Sequence, residues 1–317
     1  MVTTVPATIS PEKRWSFMGR VRIFLELIKF SHSIFAMPFA LVGTFLAARR
    51  IGLFWPGWLR LGLIVLCMVA ARSFAMTFNR LADRSLDARN PRTAQRPSAT
   101  GRISAAFMTW LLVLTGAVFI GATSLFYFCL GNVYPLVLAI PVLFWIAGYS
   151  LTKRFTWLCH FYLGTSLGLA PVSAWIAIVP PQGPVVDAQI LLLGAAVTFW
   201  TAGFDILYAL ADMEVDRTEK LYSIPAKLGI SGALWVSRGC HLLTVLALAA
   251  FGGAWLGGMP MGVLFWIGLA AVVLLLVGEQ SLVKPTDISR VNIAFMTVNG
   301  LVGLVFGGLA IAAVLLH

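Results

Sequence analysis

The sequence predicts an all-α, polytopic membrane protein, and three observations carry that reading. Mean hydropathy is +0.91, with 60% of residues hydrophobic. Only 11% are charged. The apolar residues gather into nine long runs, at about 23–48, 59–80, 104–128, 132–150, 157–179, 189–211, 231–253, 262–283 and 291–316. Each approaches or exceeds the roughly 20 residues a helix needs to cross a hydrocarbon layer. This composition excludes a soluble globule. Residues 1–22 read as a polar cytoplasmic segment, and 23–317 as a single transmembrane domain. No short apolar core with a small-residue cleavage site precedes the first run, so no removable signal peptide is expected.

Within the runs, Pro38, Pro135, Pro141 and Pro171 are expected to kink helices rather than end them, because neighbouring helices can satisfy the freed carbonyls. Between the runs, charge sets orientation. Lys13, Arg14, Arg20 and Arg22 precede the first run, and the loops at 81–103, 151–156, 212–230 and 284–290 hold most of the other Lys and Arg. The alternate loops hold little beyond Arg49, Arg50 and Arg60. The basic loops therefore face the cytoplasm in a plasma (inner) membrane, and an odd number of spans leaves His317 on the far side. Lipid topology thus accounts for the net charge of +11, and no nucleic-acid partner is expected. Cys67, Cys129, Cys159 and Cys240 lie singly, without C-x-x-C spacing, and read as packing residues.

The acids are distributed unlike the cations. Of 12 acidic residues in the chain, six are Asp83, Asp87, Asp205, Asp212, Glu214 and Asp216. Asn79, Asp83 and Asp87 recur at i, i+4 and i+8 where the second run ends, and on a continuous helix they fall within roughly 80° of one another. Asp205, Tyr208, Asp212 and Asp216 repeat the device at the end of the sixth run, again within about 80°. Like charges on one face repel, so a solvated helix end or a divalent cation must account for them. All-oxygen ligation by carboxylates and an amide favours Mg²⁺ over zinc or copper. The repetition in so apolar a chain favours the cation, and it points to a pseudo-repeat relating early helices to late ones.

Each acidic stretch is followed by cations: Arg89, Arg92, Arg96 and Arg102 after the first, and Arg217, Lys220 and Lys227 after the second, with Lys153-Arg154 in a third loop. Single loop arginines are explained by topology or anionic lipid. Carboxylates and cations together suit a diphosphate, which needs Mg²⁺ bridged to carboxylates and Arg or Lys on its other oxygens. Arg72 stands apart, because it falls inside the second run, where cations are paired or functional. It is expected to face the acidic cavity.

Arg72, the Asn79/Asp83/Asp87 motif, Arg92 with Arg96-Pro97, Tyr149 with Lys153-Arg154, and the Asp205…Tyr208-Ala209…Asp212…Asp216 motif occur in this order. Together they resemble the UbiA superfamily of intramembrane aromatic prenyltransferases, over about 22–230 by motif and beyond it by hydropathy. The resemblance implies a helical bundle around a central cavity, with a cytoplasmic cap and a lateral opening for a lipid tail. It implies Mg²⁺ held by Asn79, Asp83 and Asp87, a second ion held by Asp212 and Asp216, and Arg72, Arg92, Arg96, Lys153 and Arg154 on the pyrophosphate of a polyprenyl diphosphate donor. Ionisation would give an allyl cation that attacks a small aromatic acceptor, with Asp205 or Tyr208 orienting that acceptor or taking its proton. Two departures are visible. Arg80 stands where many members have a further carboxylate, and Lys220–Ala226 looks like a branch linked both to 4-hydroxybenzoate and to menaquinone synthesis.

The expected activity is therefore Mg²⁺-dependent polyprenyl transfer to a hydroxylated aromatic acid in respiratory quinone synthesis, 4-hydroxybenzoate first, with a dihydroxynaphthoate as the alternative acceptor and haem or a chlorophyll precursor behind it. Lys29 and His32 are candidates to meet the acceptor carboxylate. His32 and His160 otherwise read as packing histidines, and Glu26 and Glu279 as interfacial or paired. An organic-anion transporter is the alternative from another class, but transporters place such groups at the midplane, and here the acids cluster at one face.

Overall fold

A computed structural model describes residues 35–181 and 186–316, and among these the chain is helical with no β-strand. The long helices are α1 (Met37–Arg50), α2 (Trp58–Ala82), α4 (Ala105–Leu130), α5 (Tyr134–Thr152), α6 (Cys159–Ile178), α7 (Ala188–Ala209), α9 (Ile224–Gly252), α10 (Val263–Leu282) and α11 (Val291–Leu316). Two six-residue helices, α3 (Arg84–Arg89) and α8 (Met213–Thr218), follow α2 and α7. Eight helices of the described residues are long and apolar enough to span a membrane. Of the first expected run, the described part is α1.

Most helix ends fall within two residues of the expected ones, and capping chemistry sets some of them. Ser104 Oγ accepts the Phe107 N–H (3.2 Å) to start α4, which stops at Gly131 in the left-handed conformation (φ 72°). Ser223 caps α9 seven residues before the expected start. The apolar run begins only after a non-helical break at Gly229 (φ 68°, ψ −177°). Pro38 and Pro135 sit in the first turns of α1 and α5, where the missing N–H is harmless, rather than kinking their interiors as expected. Pro141 and Pro171 are interior, as anticipated.

Helix α7 is the centre of the bundle, packed against α6 on one side and α9 on the other. Small residues permit the first contact: Gly164 and Gly168 of α6 lie against the backbone of α7 at Thr198 and Gly194, so closely that a Cβ on either would collide. Lipid-facing helices gain little from apolar association, and such close backbone approach supplies dispersion instead. Behind α7 the core is aromatic, with Trp200 5.1 Å from both Phe39 and Phe204. Some polar groups in this dry region are paired. Trp200 Nε1 donates to Asn299 Oδ1 (2.7 Å), and Asn299 Nδ2 donates to Glu279 Oε1 (2.7 Å). Glu279, fully buried, is thus a paired residue tying α10 to α11.

Two chambers result. An apolar one of about 200 Å³ lies between α2, α4, α5 and α6, beside the start of α1. A polar one of about 290 Å³ lies at the ends of α2, α5 and α7, with the following turns and the start of α6 around it. Met76, Tyr149 and Leu163 line both, so the two chambers adjoin.

Candidate active site

Neither acidic motif lies on one continuous helix. Helix α2 ends at Ala82, Asp83 takes φ −96°, ψ 6°, and α3 begins at Arg84. Helix α7 ends at Ala209, a 3₁₀ turn covers Leu210–Asp212, Asp212 takes φ −108°, ψ 0°, and α8 follows. The single-helix expectation is corrected at the same place in both copies. A break lets the chain turn while the Asp83 carbonyl still accepts the Asp87 N–H at 2.7 Å, so the carboxylates remain on the chamber side.

Asp83, 3% exposed, is gripped from α5 and its C-terminal turn. Lys153 Nζ lies 2.7 Å from Oδ2, Arg154 Nη2 donates to Oδ1 at 2.9 Å, and Asn79 Nδ2 donates to Oδ2 at 3.1 Å. Arg154 also donates to the Ala82 and Ser150 carbonyls (both 2.8 Å), which fixes its guanidinium. Asp87 pairs with Arg96 (2.7 Å) through Oδ1, while Arg80 stands 3.7 Å from Oδ2, a buried oxygen without a hydrogen-bond partner. Arg80 is itself 5% exposed, so the cation that replaces a carboxylate serves the same Asp87.

The second motif is held across the chamber by the loop after α3. Arg92 forks onto Asp212, with Nε donating to Oδ1 at 2.8 Å and Nη2 to Oδ2, and its Nη1 donates to the Tyr208 hydroxyl at 2.6 Å. Asn90 Nδ2 adds a bond to Asp212 Oδ1 (2.8 Å). Burial disfavours the charge on Arg92, but Asp212 and Tyr208 outweigh that, and its pKa stands above the ordinary arginine value. Arg92 also lies over the Tyr208 ring (4.7 Å), which stacks on Phe295 of α11 at 4.1 Å and 22°. At the rim Arg89 pairs with Glu219 (2.8 Å).

Asn79, Asp83, Asp87, Arg92, Arg96, Lys153, Asp205, Tyr208, Asp212 and Asp216 all line the polar chamber, and Arg154 reaches it through Asp83. Arg72 is the exception: it lines the apolar chamber, with its Nε buried and unpartnered. Lys29 and His32 lie outside the described residues. Among the described residues no three His, Cys, Asp or Glu side chains converge on one point. Each of Asp83, Asp87 and Asp212 is drawn to cations instead.

Sequence reasoning assigned no role in the site to four groups, Tyr149 among them although it stands in the motif set. His160, read as a packing histidine, bonds Asp205 (2.7 Å). Asn90 holds Asp212, Tyr149 joins the two chambers, and Phe295 comes from a stretch matched by hydropathy alone. A histidine directly after the basic Lys153-Arg154 loop was the one available signal.

Residues 36–301 match the model of the UbiA prenyltransferase family. The chain is 33% identical over 263 residues to 4-hydroxybenzoate octaprenyltransferase of Methylobacillus flagellatus, covering 80% of this chain and 81% of that protein. It is 30% identical over 307 residues to the same-named protein of Chromohalobacter salexigens, covering 94% and 95%. The apo structure of a UbiA homologue from Aeropyrum pernix superposes with a TM-score of 0.76 at 30% identity, over 89% of this chain and 97% of that one. A UbiA homologue from Archaeoglobus fulgidus, solved with GPP and Mg²⁺, shares the fold with a TM-score of 0.66 at 17% identity, over 92% and 99%. The chain belongs to the UbiA prenyltransferase family and is an integral membrane prenyltransferase.

Proposed function

We propose that this enzyme transfers a polyprenyl group from an allylic diphosphate to a hydroxylated aromatic acid, 4-hydroxybenzoate, in respiratory quinone synthesis. One observation carries the reading: two acid-bearing helix ends, with their cations, share a polar chamber that adjoins an apolar one. That arrangement suits a ligand with a polyanionic head and a greasy tail. The names borne by relatives at about a third identity support the acceptor. The family assignment displaces the transporter reading.

A divalent ion fits the donors. They are oxygen only, and Asp87 Oδ2 is buried with no hydrogen bond and with Arg80 only at 3.7 Å, so a directly bound cation would satisfy it. Asn79, Asp83 and Asp87 would hold one Mg²⁺ and Asp212 and Asp216 another. The metal, when bound, supplies neutralisation of the diphosphate charge. Arg92, Arg96, Lys153 and Arg154 exchange part of their carboxylate contacts for phosphate oxygens as the donor enters. They thereby stabilise the pyrophosphate as the C–O bond ionises. The apolar chamber takes the tail and keeps water from the allyl cation. Arg72 stands in that chamber and is the candidate to meet the head group from its inner side. Asp205 and Tyr208 attend the acceptor, and Lys29 and His32 are candidates for its carboxylate.

The enzyme is assigned to the inner membrane, nine-spanning, with the chamber facing the cytoplasm under a cap formed by the segments after α2 and α7. The positions of Lys and Arg support this orientation. The deciding experiment incubates membranes containing the protein with geranyl diphosphate, Mg²⁺ and either 4-hydroxybenzoate or a dihydroxynaphthoate, with products identified by mass spectrometry. Geranylated 4-hydroxybenzoate is expected. A naphthoate product alone moves the enzyme to menaquinone synthesis, and no aromatic product with either overturns the reading.

A further inference from the structure

Trp200, Phe204 and Tyr208 succeed one another at i, i+4 and i+8 on one face of α7, and Tyr208 lines the polar chamber. Helix α11 meets this stripe through two residues: Asn299 at the Trp200 end and Phe295 at the Tyr208 end. Asn299 is fully buried, and its orientation is fixed. An indole N–H can only donate, so the amide oxygen of Asn299 faces Trp200 and its Nδ2 faces Glu279. The same Nδ2 donates to the Ala294 carbonyl at 3.1 Å, five residues back. That bond spans a π-helical turn at Ala294–Val298, where the winding of α11 widens. Such turns recur where a helix must re-aim a side chain at a functional site.

Phe295 lies in the turn. Among the described residues it is the one contribution of α10 and α11 to the lining of the polar chamber. Its ring stacks on Tyr208, and edge contacts with Phe204 (5.5 Å) and Phe35 (5.6 Å) leave it 8% exposed. Tyr208 in turn accepts the Arg92 hydrogen bond at its hydroxyl and carries the guanidinium over its ring. A continuous line of contacts therefore runs from Glu279 and Asn299, deep among α7, α10 and α11, to the arginine that clasps Asp212.

We infer that the π-turn of α11 is a positioning element of the active site: Asn299, anchored by Trp200 and Glu279, sets the turn, and the turn sets Phe295 behind Tyr208 so that Arg92 is seated before the donor arrives. The inference rests on the proposed prenyl transfer, in which Arg92 meets the diphosphate. It adds Phe295 and Asn299 as positioning residues. A cation already held in place loses less freedom when its ligand binds, so the seat acts on donor affinity and leaves the chemical step alone.

The test is a double-mutant cycle in membranes, with kcat and KM measured for geranyl diphosphate at saturating acceptor and Mg²⁺. An aromatic pair contributes a factor of about two to ten, so Phe295→Leu is expected to raise donor KM by that much with kcat nearly kept. In an Arg92→Ala background the seat has nothing to hold, and the same substitution should leave KM unchanged, because residues that act through one contact do not add. Glu279→Gln keeps a carbonyl oxygen for Asn299 Nδ2 and should match the wild type, whereas Glu279→Leu should reproduce the Phe295→Leu increase. Thermal unfolding checks that each variant folds, and if Glu279→Leu does not, the cycle alone decides. Equal KM increases with and without Arg92, a Phe295→Leu enzyme with wild-type KM, or a fall confined to kcat overturns the inference while leaving prenyl transfer intact. A folded Glu279→Leu enzyme with wild-type KM removes Asn299 and its anchor from the device. A wild type that forms no aromatic product overturns the underlying reading instead.

Discussion

The two acidic helix ends have the same backbone and opposite means of support. Both break at an aspartate with nearly the same dihedral angles, and both continue into a six-residue helix. The first is buried and self-contained: Asp83 and Asp87 are 3% and 6% exposed, held by Lys153, Arg154, Arg96 and Arg80, all from the first half of the chain. The second is half-buried, and its Asp212 is held by Asn90 and Arg92 reaching over from the first. Repetition thus extends to chain geometry and stops at electrostatics. One end is held within its own half of the chain, while the other is joined to it by a clasp of Arg92 and Asn90, which under the proposed function the donor would open.

The largest effects should come where the comparison predicts none between the ends. Asp83→Ala and Asp212→Ala are each expected to lower prenyl transfer by about a hundredfold or more, since both acids serve the same charge-stabilising site. An effect at one end alone would break the symmetry of function. Chelation of divalent ions should abolish turnover equally, with recovery on adding Mg²⁺ and the membrane-inserted protein unchanged by circular dichroism.

The clasp comes next. Arg92→Ala removes charge-assisted bonds of about 1.5–3 kcal/mol each at most, so donor KM should rise about tenfold to a hundredfold. Arg92→Lys should recover only part, because an ammonium cannot fork onto Asp212. Lys153→Ala should cost less, about severalfold in kcat/KM, since Arg154 still holds Asp83. If Lys153→Ala proved the more damaging, the first end would not be the self-sufficient one. Smallest is Glu219→Gln at the rim, where half of Arg89 is exposed (52%). An exposed pair is worth about 0.2–1 kcal/mol, and the change should stay within about fivefold and fade as salt is raised.

Much of this was legible before any coordinates. Hydropathy placed most helix ends within two residues, because no backbone polar group may go unpaired in lipid and only long helices meet that demand. The motif spacing gathered ten of the named side chains at one chamber. It erred on Asp83 and Asp212, where periodicity assumes an unbroken helix and cannot register a single residue leaving helical angles. It erred also on Arg72, which lines the apolar chamber, because a helical position does not reveal which neighbours surround it.

What the sequence alone determined is the membrane bundle, its orientation signal, and the two acid-and-cation stretches, since each depends on local composition and on spacing along one chain. Only the tertiary structure decided which cation holds which acid, that Arg92 bridges the two halves across 120 residues of chain, and that His160 bonds Asp205. The physical reason is that charge pairing and hydrogen bonding act over a few ångströms of space, a distance that separation along the chain does not encode.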